Sequence, residues 1–129
     1  MTLFHLADNI TVTSANPAKV VDIAKVLGTG PVNQLVNRSF QAEVNSTAVA
    51  TVTAAFQFVG SFDPEENLPP LGTGGAWSNI GSATTITCST PGVTPAVSVV
   101  TSTVPYHRVG VIISTLSGTG PVFTALMDG

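Results

Sequence analysis

The stretch Ala48-Val49-Ala50-Thr51-Val52-Thr53-Ala54-Ala55-Phe56-Gln57-Phe58-Val59 decides the fold. Ala48, Ala50, Val52, Ala54, Phe56 and Phe58 alternate with Val49, Thr51, Thr53, Ala55, Gln57 and Val59. Successive side chains of an extended chain point to opposite faces. This period of two therefore lays an unbroken apolar face along one side of a long strand and turns Thr and Gln outward. The same character returns at residues 97–104 and 108–115, which predicts a chain built almost wholly of β-structure.

Working outward, further extended segments fall at 9–13, 20–23, 34–44, 48–61, 77–80, 84–88, 97–104, 108–116 and 122–127, broken by Gly, Pro and Asn. About nine short strands in a chain of this length predict an all-β, single-domain antiparallel β-sandwich. With 129 residues there is room for one core, assigned to residues 10–129, with residues 1–9 as an N-terminal arm. Residues 17–27 carry a competing signal: Asn16-Pro17 opens the segment, Val20, Val21, Ala24 and Leu27 follow at helical spacing, and Gly28 closes it. Strand is ranked ahead of helix at 20–23 because it continues the wider pattern. Gly28-Thr29-Gly30-Pro31-Val32 recurs as Gly118-Thr119-Gly120-Pro121-Val122, each copy preceding an apolar segment. Glycines that tolerate positive φ, followed by a proline that starts the next strand, make strand connectors. Neither copy is followed by the Lys-Ser/Thr pair of a phosphate loop.

Composition narrows the function. Four basic and seven acidic residues give a net charge of -3, so no polybasic surface faces nucleic acid or an anionic membrane. Charged residues make up 9% of the chain, against about 25% in ordinary soluble domains. Ser, Thr, Asn and Gly are cheaper to desolvate than Lys or Glu, which suits a protein packed against others; a Thr-rich solvated sandwich reads the same way. No basic residue precedes an apolar run at the start of the chain, and 109–113 is far too short to cross a bilayer core of about 30 Å. A soluble product made in the cytoplasm is expected.

Catalytic parts are scarce. His5 and His107 are the only histidines, and no Gly-x-Ser-x-Gly turn accompanies them. Two His and one Cys scattered over the chain give no metal-ligand spacing. The expectation is a non-enzyme with no cofactor and no metal. Cys88 stands alone in a Thr-Ile-Thr-Cys alternation and reads as a small buried hydrophobe.

Residues 62–76 form the longest irregular stretch and hold three of the seven acids. Phe62, Leu68 and Leu71 sit there in a frame stiffened by Pro69 and Pro70, which lowers the entropy lost when a loop is pinned on a partner. Asp63, Glu65, Glu66 and Asn67 lack the spacing of an EF-hand and read as a solvated acidic tip. Candidate partner contacts are these three apolar residues and Leu3, Phe4 and His5 of the arm, for which packing across the end of the sandwich is an equal reading. Trp77 and Tyr106 are weighed between core burial and a sugar-stacking platform, with burial favoured for Trp77. Arg38 and Arg108 read as edge or rim charges.

In order, Val20-Val21-Asp22-Ile23, a Gly-rich turn, the strand at 34–44, Phe56-Gln57-Phe58-Val59-Gly60-Ser61, Trp77-Ser78-Asn79-Ile80-Gly81, Pro105-Tyr106-His107-Arg108-Val109 and the closing Thr124-Ala125-Leu126 resemble the small cement, or decoration, proteins of tailed-phage capsids. The resemblance spans residues 10–127 in short segments. It implies a sandwich of jelly-roll type that binds the outer surface of an assembled head, on the virion exterior, and ties neighbouring major capsid proteins together. Symmetric shells present symmetric junctions, so a homo-oligomer, dimer or trimer, is expected. The loop after Ser61 is longer than in similar proteins, and His107 and Gly110 replace the usual aromatic or basic residues. The alternative class is a carbohydrate-binding or adhesive jelly-roll module, which needs at least two aromatics on one concave face. Six Phe, one Trp and one Tyr, mostly in phase with strand interiors, argue against it.

Overall fold

The computed structural model describes residues 3–14, 17, 20–22, 38–48, 50–62, 77–89, 96–104 and 106–128. Their regular elements are eight strands: β1 (Leu3–Ile10), β2 (Val21–Asp22), β3 (Arg38–Ser46), β4 (Val52–Ser61), β5 (Ser78–Cys88), β6 (Ala96–Ser102), β7 (Arg108–Ser117) and β8 (Pro121–Asp128). They form two four-stranded antiparallel sheets, ordered β1-β8-β3-β6 and β2-β7-β4-β5. Pairs nest: β4 with β5, β3 with β6, β2 with β7 and β1 with β8. The chain is thus one long hairpin with its tip between β4 and β5. It is rolled up so that β8 also meets β3 and β7 also meets β4. Eight strands rolled in this way into two sheets make a jelly roll, so the expected all-β antiparallel sandwich is the fold observed.

The alternation read at residues 48–59 follows the pleat from Val52 to Phe58. The strand starts at Val52, so Ala48, Ala50 and Thr51 precede it, and Val59, expected on the outer face, is buried because the last residues of β4 are covered on both sides. Val52, Ala54, Phe56 and Phe58 are buried on one side of β4, while Thr53, Ala55 and Gln57 on the other are only half-buried. Phe40, Ala42 and Val44 of β3 and Phe123, Ala125 and Met127 of β8 supply the facing layer. Four rings make the seam: Phe56 meets Phe123 at 5.3 Å between centroids, Phe58 meets Phe40 at 5.3 Å, and Phe56 meets Phe58 at 5.6 Å. All three pairs are inclined, the arrangement that the ring quadrupole favours. Cys88 is buried, as its place in the alternation implied.

Four expectations need correction. In place of an N-terminal arm at 1–9 and a first strand at 9–13, Leu3–Ile10 form the edge strand β1, and Leu6 and Ala7 enter the core. Register shifts between His5 and Ala7 and between Ala7 and Ile10 break the period of two, so alternation could not reveal the strand. Segments 77–80 and 84–88 are one strand, β5, because the chain passes Gly81 (φ 71°) as a bulge instead of turning. Arg38 and Arg108 are not edge charges: each is the first residue of an inner strand, and both are buried. At 34–44 the described strand begins at Arg38 and runs on to Ser46. Val21 and Asp22 are strand, whereas residues 23–37, with the first Gly-Thr-Gly-Pro-Val, lie outside the described residues.

The second copy behaves as a connector. Gly118 (φ 97°) and Gly120 (φ 69°) turn β7 into β8, and a Cβ on Gly118 would collide with the Thr51 carbonyl. Ser46 Oγ donates to the Thr119 carbonyl (3.0 Å) and the Thr47 N–H to that of Gly120 (2.9 Å), so this turn closes one end of the sandwich. If the Phe seam holds the sheets together, Phe56→Ala lowers unfolding stability by about 3–5 kcal/mol. Val12→Ala, at a site 68% exposed, changes it by less than about 0.5 kcal/mol, and urea titration of both variants measures the two values.

Candidate functional site at the aromatic end

The other end of the sandwich gathers residues from several strands. Leu3 opens β1 opposite Asp128, Met127 pairs with Phe40, and the Phe40 ring rests on Phe58, near the end of β4. The start of β1 and Phe62, just past β4, therefore lie at the same end, where β7 begins at Arg108.

Phe62 is 49% exposed. Its centroid lies 5.0 Å from Tyr106, tilted by 35°, and 5.6 Å from His107 in a T-shaped contact. The His107 N–H donates to the Ser61 carbonyl at 2.9 Å and fixes the entry of β7 beside the exit of β4. Tyr106 lies across Gly60, where any Cβ would collide with its ring. Glycine at this position of the strand is thus the local requirement for the stack. The Tyr106 N–H donates to the Val104 carbonyl (2.9 Å), and the Val104 N–H to Ser102 Oγ (3.2 Å), leaving Val104 exposed beside Ser102.

Three polar side chains are buried at this end. Ser61 and Arg108 are paired across β4 and β7, and both are buried. Arg38, the first residue of β3, is buried as well, and loss of solvent pushes its guanidinium below its ordinary value. An arginine stays protonated under such a shift, so it supplies a fixed positive charge. Trp77 precedes β5, whose Ser78 pairs with Gly60. The indole is half-buried, and its Nε1 is out of solvent with no acceptor among the described residues.

The structure separates the sequence-derived candidates. Phe62 is exposed and held by two rings. Phe4 is half-buried and packs against the core, the second of the two readings given for it. His5 stands outward, half exposed, with Nδ1 3.6 Å from an Asp8 oxygen. Leu3 begins β1. Leu68, Leu71 and the acidic tip at Asp63, Glu65, Glu66 and Asn67 lie outside the described residues. Sequence reading missed that Tyr106 and His107 support Phe62; Gly60 was the available signal.

Chemically this end offers ring faces and apolar area beside two buried arginines. Among the described residues no group of three or more His, Cys, Asp or Glu is placed to hold a metal ion, and no helix is long and apolar enough to cross a membrane. A hollow of about 240 Å³ at the opposite end, lined by Glu43, Asn45, Thr47 and Thr124 among others, is open and smaller than typical ligand pockets. The chain was compared with protein-family models, with curated proteins and with solved structures, and it matches none of them.

Gly60→Ala pushes Tyr106 off β4. The expected result is loss of the near-ultraviolet circular dichroism of the single Tyr and a stability loss of about 1–3 kcal/mol, with far-ultraviolet strand signal retained.

Proposed function

We propose that this protein is a non-enzymatic virion structural protein that binds the outer surface of an assembled tailed-phage capsid and cements neighbouring major capsid proteins. The observation that carries the reading is Phe62, half exposed yet held in place by Tyr106 and His107 on a jelly roll of very low charge. A pre-positioned ring loses little conformational entropy when it is covered, and aromatic anchors dominate the energetics of protein interfaces. Few Lys and Glu side chains must be stripped of water at such a surface. A stable contact buries about 1,600 Å², and repetition over a symmetric shell multiplies modest contacts through avidity.

The exposed pairing of Phe62 with Tyr106 also favours the second reading, a carbohydrate-binding module, because sugars stack on such rings. The two rings are tilted by 35° and Phe62 alone is strongly exposed, which makes a poor flat platform.

Co-sedimentation with empty heads of the phage that encodes the chain separates the two. The wild-type protein is expected to pellet to a saturable stoichiometry. Phe62→Ala is expected to weaken that binding at least about tenfold while leaving the melting temperature within a few degrees. Wild-type protein left in the supernatant at saturating concentration, together with glycan-array binding that requires Phe62, would make the module a carbohydrate binder.

A further inference from the structure

The two sheets have four outer edges, and three of them are blunted. β1 carries two register shifts, a positive φ at Asn9 (50°) and the charge of Asp8. Among the described residues, β2 presents Val21 and Asp22. In β5, Gly81, Ser82 and Ala83 lie opposite the single residue Gln57, whose Nε2 donates to the Ile80 and Gly81 carbonyls at 3.0 and 3.3 Å and fixes the bulge. Bulges, short strands and charges are the devices by which sheet proteins keep edges from pairing with other chains.

β6 has none of them. Its sequence is Ala96-Val97-Ser98-Val99-Val100-Thr101-Ser102, without charge, Pro or Gly. It runs in unbroken register along β3, from Val44 opposite Ala96 to Arg38 opposite Ser102, and among the described residues β3 is the strand it pairs with. Val97 and Val99 stand outward, 49% and 60% exposed. No Asp, Glu, Lys or Arg occurs between Glu66 and Arg108, so the chain on both sides of this edge is uncharged too.

We infer that β6 pairs edge to edge with β6 of a second copy of this chain, antiparallel about a two-fold axis through Val99, joining two four-stranded sheets into one of eight strands. The choice of a second copy follows from charge. A two-fold pairing places each residue opposite itself or its mirror position, so any charge in the strand would meet one of its own sign near the axis, and β6 carries none. With Val99 on the axis, Val97 lies opposite Thr101 of the second copy and Ser98 opposite Val100. Outward residues then meet outward residues and inward meet inward. Whichever alternate set of main-chain groups faces outward, this register closes about six to eight hydrogen bonds. The inference holds with or without a capsid, so it and the proposed role fail separately.

Sedimentation equilibrium of the full chain from micromolar to millimolar concentration is expected to give twice the 13.1 kDa chain mass. Val99→Lys sets like charges against each other on the axis and is expected to raise the dissociation constant about a hundredfold or more. Because Val99 is largely exposed, the melting curve should show a folded monomer. Val99→Cys is expected to form a covalent dimer on mild oxidation, since Cys88 is buried and facing residues of an antiparallel pair lie about 5 Å apart. Val97→Cys should not cross-link to itself, its counterpart lying about 13 Å along the strand. A wild-type chain that stays monomeric, a dimer that Val99→Lys leaves intact, or a dimer that Val99→Cys does not cross-link overturns the inference.

Discussion

The contact of Phe56 and Phe58 in one sheet with Phe40 and Phe123 in the other is the constraint on which the rest of the structure depends. Strand pairing alone fixes neighbours within a sheet; the rings fix which part of one sheet lies over which part of the other. Phe58 over Phe40 brings the end of β4 level with the start of β3 and the end of β8. That alignment gathers Phe62, Arg38, Arg108 and the start of β1 at one end, and leaves the tight Gly118–Gly120 turn at the other. The candidate site is therefore a consequence of core packing, and a seam shifted by one pleat would disperse it.

Legibility in the sequence followed locality. β4 could be read directly because one of its faces is apolar and the other carries Thr and Gln, so its period survives inspection. β1 could not, because its bulges insert residues that the period of two does not count. Gly81 reads as a strand end in sequence and acts as a bulge in the sheet, since the side chain of Gln57, more than twenty residues earlier, satisfies the carbonyls it frees. The places of Arg38 and Arg108 in inner strands depend on strand order, a long-range property on which alternation is silent. The same holds for the support of Phe62: its ring partners come from the entry to β7, and only the bare Cα of Gly60 hints that something large must cross β4 there.

The two proposed surfaces are geometrically compatible. The aromatic cluster occupies an end of the sandwich and β6 a side, so covering one leaves the other open. Antiparallel pairing of β6 with its copy points the two Phe62 ends in opposite directions. A dimer lying flat would then reach two separate sites, as a tie between neighbouring subunits requires. Low charge serves both surfaces: it spares desolvation at the end and like-charge repulsion at the edge.

The most direct measurement of the central claim, the proposed cementing role, is a cryo-electron microscopy reconstruction of tailed-phage heads incubated with saturating protein. The account predicts ordered jelly-roll density spanning the junctions between capsomers, with the end that carries Phe62, Tyr106 and His107 against the major capsid protein. Shells whose junctions stay bare, or density that meets the shell with this end turned to solvent, would contradict it.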